Sequence, residues 1–214
     1  GDDEPGAADQ PWYVPARRLP LYRWREVQRL QFASDAVRGD FNADWIPDVP
    51  VGRIPARRPE QVELIVQKII AYEQRPASLS DLQLAAWFGS PQYGAALDAV
   101  ATNLGLVMLR TRAPQWLCPW LLTGNPRESF CGSPAGQPGI FSRQIKQGGL
   151  ASLLMGHANR RDFYSMNHEG RSIVYNASLA QAELTSGSPT PPMFVFSCES
   201  GEFTQADSCF AESF

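Results

Sequence analysis

The strongest constraint on the fold is an alternation of two periodicities. Short apolar runs of strand length, LQLAAWFG at 82–89, LASLLM at 150–155 and MFVFS at 193–197, are separated by segments with helical spacing. Alternating strands and helices imply a parallel sheet with helices on its faces. The helices are PEQVELIVQKIIAYEQR at 59–75, PQYGAALDAVATNLG at 91–105 and IFSRQIKQGG at 140–149. In the first, proline opens the helix, an acid sits in its first turn, and Val62, Ile65, Val66, Ile69, Ile70 and Tyr72 form a broad apolar face that ends at Pro76. Gly105 reads as the stop of the second, with LVMLR at 106–110 as a further strand. Residues 111–138, rich in proline and glycine around QWLCPW, read as a long loop, and 158–192 as a crossover that is only partly regular. ADSCFAESF at 206–214 starts a helix capped by Asp207 or Ser208.

With 214 residues the chain is long enough to bury a core without disulfides, and a single domain over 1–214 is the simplest expectation. Its 43% hydrophobic and 19% charged residues are those of an ordinary globular protein. A net charge of −3, with scattered arginines instead of a basic stripe, argues against a nucleic-acid surface. No apolar run reaches the roughly 18 residues of a membrane helix. The polar opening GDDEPGAADQP and the helix begun at 208–214 suggest an interior portion of a longer chain.

Four cysteines show no CxxC spacing, and two histidines, His157 and His168, offer little for structural zinc. Cys118 and Cys131 flank the proline-rich loop; a disulfide between them and two free thiols are both open readings.

Two apolar strands end in reactive side chains: LASLLM leads through Gly156 to His157, and MFVFS leads to Cys198. In parallel α/β sheets sites form beyond the carboxyl ends of strands, and an intervening crossover lets the two meet there. An imidazole beside a thiol can take its proton and return it to a leaving amine. The N–H groups of Cys198 and of the residue after His157 are candidate oxyanion donors, and the small Gly156, Ala158 and Gly201 leave room for a substrate backbone. Spacing alone leaves the alternative open, since a single cysteine or histidine at a strand end also serves as inert core.

The segment from 34 to 73, SDAVRGDFNADWIPDVPVGRIPARRPEQVELIVQKIIAYE, together with MGHA at 155–158 and FVFSCESGEF followed by SCFAESF, resembles gingipain-type cysteine peptidases. The opening YVPARR resembles the family's Ile-Pro-Ala-Arg segment after a buried strand. The resemblance implies a caspase-like α/β three-layer sandwich with a mostly parallel sheet. It also implies endopeptidase chemistry through a thioester, with Cys198 as nucleophile and His157 as general base. Ala158 and Cys198 would form the oxyanion hole, and Gly156, Glu199 and Gly201 would contact substrate. The family's glycine after the histidine is Ala158 here, so a methyl group is expected to face the scissile carbonyl, with strain if φ is positive.

Related readings are a sortase-like transpeptidase of type IX secretion, using the same pair, and a catalytically weak interaction module. A protein or peptide substrate, a pro-segment or flanking domains, and a secreted or cell-surface location in a bacterium follow from the same resemblance. Family members are often calcium-stabilised, and DFNADWIPD spaces oxygens at Asp40, Asn42, Asp44 and Asp48. It departs from an EF-hand at Trp45 and Val51, and an Asx-rich turn capped by its own side chains is the competing reading. For specificity, Glu199, Glu202, Asp162, Arg160 and Arg161 lie near the pair in sequence, with Asp162 and Glu169 as candidates to orient His157.

Overall fold

The computed structural model describes residues 14–23, 26–56, 58–89, 95–124, 134–165, 174–184, 190–203 and 208–214. The chain divides into two compact units, residues 1–66 with 202–207 and residues 67–201 with 208–214, so the boundary falls inside a helix, α1 (Pro59–Gln74).

The first unit holds an antiparallel hairpin of β1 (Arg17–Arg23) and β2 (Glu26–Ser34), with a bulge between Leu21 and Arg23. Beyond it Asp35 takes a two-pronged bond from Arg53, Nε at 2.5 Å and Nη2 at 2.7 Å, and a third bond from Arg38 Nε at 3.2 Å. This fork matches the planar guanidinium to the carboxylate, and the Arg53 hydrogen bond lowers the Asp35 pKa against the opposing pull of its own desolvation. Arg53 also lies over the Phe203 ring at 5.0 Å.

The second unit is built on a parallel sheet in the order β4 (Cys118–Thr123), β3 (Gln83–Phe88), β5 (Ala151–Met155), β9 (Met193–Phe196). Alternate side chains leave a strand on opposite faces. On one face Ala85, Trp87, Leu122 and Leu154 pack with Phe141 and Ile145 of α3 (Gln137–Lys146), Ala180 and Leu184 of α4 (Ala177–Leu184), and Phe210. On the other, Ala86 and Phe88 meet Leu106 of α2 (Ala95–Arg112). Helices on both faces of a mostly parallel sheet make three layers, as the alternation predicts.

A smaller antiparallel sheet follows β5, with β6 (His157–Ala158), β7 (Asp162–Tyr164) and β8 (Val174–Asn176) in sequence order. It contributes Phe163 and Tyr175 to the first core. Trp87 lies 5.4 Å from both Phe141 and Phe163 and 5.7 Å from Tyr175, and Tyr175 lies 5.7 Å from Phe210. A buried polar chain crosses this layer. Ser165 Oγ donates to Gln137 Oε1 at 2.7 Å, and Gln137 Nε2 donates to the Thr123 carbonyl at 3.0 Å.

Several expectations are corrected. LVMLR is not a strand, because α2 continues through it to Arg112. Gly105 is no stop; it sits inside the helix because an added Cβ would strike the Phe88 ring. QWLCPW is not loop throughout, since Cys118–Thr123 pairs with β3 as the sheet's edge. Edge position also tolerates Pro119, whose missing N–H would break a central ladder. Among the described residues β9 lies at the edge of the sheet and is only half covered, with Phe194 54% and Phe196 63% exposed. No residue of α1 is buried, although Tyr72 Oη donates to the Leu150 carbonyl at 2.7 Å. The terminal helix is a single 3-10 turn, Phe210–Ser213. Its cap is Cys209, whose N–H donates to Glu212 Oε2 at 2.6 Å; Asp207 lies outside the described residues.

Candidate active site

β5 and β9 are neighbours, and their register pairs Met155 with Phe196. The ladder runs one step further, where Gly156 N–H donates to the Phe196 carbonyl at 3.2 Å. His157 and Cys198 each stand two residues beyond that registered pair, so both leave the sheet from the same level of adjacent strands. Strands lie about 4.8 Å apart in a sheet. A long-range crossover of β6, β7, β8 and α4 makes this adjacency, as a parallel pair requires.

Cys198 sits in a turn that the sequence after β9 folds upon itself. Ser200 Oγ donates to the Ser197 carbonyl at 3.3 Å, and Glu199 between them has a left-handed backbone, φ 53°. For a non-glycine residue this costs about 1 kcal/mol or more, and it gives the chain the sharp bend that presents Cys198, which is exposed. Glu199 is itself exposed, and an added Cβ on Gly201 would meet nothing within 4 Å.

His157 is half-buried and stacks on Tyr164, its cross-strand partner, with centroids 5.9 Å apart and planes at 22°. Asn159 Nδ2 holds Tyr164 Oη at 2.6 Å and Asp162 Oδ2 at 3.0 Å. Desolvation first, and then the Asp162 charge, raise the Tyr164 pKa and keep it neutral. Tyr164 is the residue the sequence reading missed. A tyrosine seven residues after a histidine carries no signal until the hairpin register is known. Asp162 is spent on Asn159 at the hairpin turn, whereas Glu169, His168 and Cys131 lie outside the described residues.

The hairpin also locates the Ala158 amide. Asn159 N–H donates to the Asp162 carbonyl at 3.0 Å, so by antiparallel alternation Ala158 and Phe163 form the pair that exchanges no hydrogen bonds. The Ala158 N–H therefore faces away from β7, on the open edge of β6. The methyl group does not face outward as expected. Ala158 is 2% exposed and belongs to the aromatic core, and its φ is not positive, so the alanine is unstrained. Gly156 has a packing reason for being glycine, because a Cβ would lie 3.1 Å from both Gly89 Cα and the Phe163 ring.

Two further bonds join the surroundings of His157 and Cys198. The consecutive amides of Phe210 and Ala211 donate to the Arg160 carbonyl at 2.7 Å and to the Ser200 carbonyl at 2.9 Å. The hairpin turn after His157 and the bend after Cys198 are thereby stapled to one short segment.

The oxygen-rich loop lies in the other unit. Asp40 accepts from the amides of Asp44 and Trp45 at 3.2 and 2.9 Å, Asn42 from Asp44 at 3.0 Å, Asp44 from Ile46 at 2.8 Å and Asp48 from Phe41 at 2.9 Å. Ala43 and Trp45 take positive φ, 61° and 71°, to close it. As folded, these oxygens fit amide donors, and no group of three metal-ligating side chains occurs among the described residues.

The three-layer arrangement and its paired strand ends define a caspase-like α/β protein. The model of peptidase family C25 matches residues 1–214, and the chain belongs to that family. Among solved structures, the complex of Porphyromonas gingivalis RgpB pro- and mature domains aligns with a TM-score of 0.53 and 17% identity, over 85% of this chain and 40% of that one. The crystal structure of the Arg-specific cysteine proteinase gingipain R gives 0.48 and 16%, over 85% and 39%. The first of these likenesses, at 17% identity, speaks to the fold alone, and the chain spans about two-fifths of each of the two structures. No curated protein matches the chain.

Proposed function

We propose that this chain carries the catalytic pair of a cysteine endopeptidase. The observation that supports it is the register of β5 on β9, which puts His157 and Cys198 at the same level of adjacent strand ends. In this reading His157 takes the Cys198 proton as Sγ attacks a peptide carbonyl, and the N–H groups of Ala158 and Cys198 stabilise the oxyanion. Collapse of the tetrahedral intermediate breaks the C–N bond, with His157 protonating the leaving amine. Water, deprotonated by the same imidazole, then hydrolyses the thioester. Glu199 and Gly201, exposed beside the nucleophile, and Gly156 before the base are the substrate contacts in this reading. The single catalytic domain over 1–214, a pro-segment and a secreted or cell-surface location in a bacterium belong to the same reading.

The test is mass-mapped labelling with peptide acyloxymethyl ketones. Cys198 should be modified, and His157→Ala should slow labelling by about 100-fold or more. Should Cys198 stay unmodified while exposed Cys118 reacts with plain iodoacetamide, the peptidase reading fails. Calcium at Asp40, Asn42, Asp44 and Asp48 is a separate proposal, in which the ion competes with the loop's amides. A melting temperature that rises with calcium over chelator supports it, and an unchanged one removes it.

A further inference from the structure

The backbone of His157 is fixed by its ladder, but its ring is not. Rotation of an imidazole about its last side-chain torsion is broad, so a strand end alone leaves the plane of a base undetermined. The β6–β7 hairpin supplies the constraint. Its register pairs Ala158 with Phe163 and His157 with Tyr164. Successive side chains leave a strand on opposite faces, so the first pair enters the aromatic core and the second stands together on the other face. There the two rings stack with planes at 22° and centroids 5.9 Å apart, within the range in which aromatic rings attract.

The tyrosine ring is held at both ends. At its root, Phe163 is fully buried and Ser165 Oγ donates to Gln137 Oε1 at 2.7 Å, so the residues on either side of Tyr164 are anchored in the interior. At its tip, the hydroxyl accepts from Asn159 Nδ2 at 2.6 Å. Asn159 is itself locked, because its Oδ1 accepts from the amides of Arg161 and Asp162 at 2.8 Å each and its Nδ2 also reaches Asp162 Oδ2 at 3.0 Å. A planar ring fixed at root and tip is a rigid platform for the ring beside it.

We propose that Tyr164 is a positioning residue for the reaction: its ring sets the plane in which the imidazole of His157 meets Cys198, and Asn159 sets that ring. This rests on the peptidase reading and adds to it a residue that acts through the base. Loss of such support leaves binding intact and slows the chemical step, because the reacting groups drift out of alignment.

The experiment measures labelling of Cys198 by a peptide acyloxymethyl ketone in the full natural chain, with the limiting rate and the half-saturating concentration separated. The variants are Tyr164→Leu and Tyr164→Phe, each with and without His157→Ala. The expected limiting rate is about 10-fold lower in Tyr164→Leu and about 3-fold lower in Tyr164→Phe, which keeps the ring, with half-saturation unchanged. In the His157→Ala background neither substitution should lower the rate further, since a role exercised through the imidazole disappears with it. A loss that persists without the imidazole, or that falls on half-saturation, marks a structural or substrate-binding role and overturns the proposal. So does a Tyr164→Phe no faster than Tyr164→Leu. Labelling of Tyr164→Leu at the natural rate overturns it too and leaves the peptidase reading standing. If Cys198 is not labelled in the natural chain, both fall. Where Tyr164→Leu does not fold, Tyr164→Phe carries the test, and its smaller loss must vanish in His157→Ala.

Discussion

The two faces of the parallel sheet are unequal. One carries Trp87, Phe141, Phe163, Tyr175 and Phe210 in mutual ring contact, all essentially inaccessible to solvent. The other carries Ala86, Phe88 and Leu106, and at β9 it presents Phe194 and Phe196 to solvent. Two of the devices that shape the candidate site grow from the thick face: Ala158 and Phe163 of the hairpin are in it, and Phe210 is the anchor whose amide grips the Arg160 carbonyl. β9 is backed on the thick face by Met193 and Val195, and no residue of it joins the thin-face cluster. Precision at the strand ends is thus set by aromatic packing on a single layer.

Removing a ring from the thick face should therefore have the largest effect. Phe210→Ala is expected to cost about 3–5 kcal/mol in urea unfolding. It should also blunt Cys198 labelling, because the staple on Arg160 and Ser200 loosens; a loss below about 1 kcal/mol would break the comparison.

Alkali attacks the same layer. Burial raises the Tyr175 hydroxyl from 10.0 to about 12 and, with the Glu212 charge adding to burial, the Cys209 thiol from 9.0 to about 11. Both groups are neutral when protonated, and the folded chain holds these protons more tightly than the unfolded one. Their contribution is fully present below about pH 9 and is lost as pH climbs from there to about 12. Tyr175→Phe should flatten the upper part of that decline, at the expense of the 3.0 Å bond with Ser142. A decline of unchanged slope would place the proton linkage elsewhere.

The smallest effect belongs to the thin face. Phe196→Ser should change the stability of this chain by no more than about 0.5 kcal/mol, since the side chain is already largely in water. A larger loss would mean that the face is better covered than its exposure says.

Legibility followed the same division. β3 and β5 were readable because both of their faces are buried, which leaves near-continuous apolar runs. β4 was not, since an edge strand with a proline and a tryptophan resembles a loop until its partner is known. LVMLR satisfies strand propensity and helix periodicity equally, and the helix wins because Gly105 lets it close onto Phe88. Of the site, the positions of His157 and Cys198 at strand ends were legible. The Tyr164 stack, the direction of the Ala158 methyl and the double staple were not, because each depends on which residues cross a hairpin or meet a distant amide.

The staple at 210 and 211 also imposes an order of events. Its two amides follow both His157 and Cys198 in the chain, so on the ribosome the two turns cannot be locked together until residues beyond the thiol have emerged. Until those two amides have been made, the hairpin turn after the imidazole and the bend after the thiol are held only by their own local bonds, and joining them is a single event.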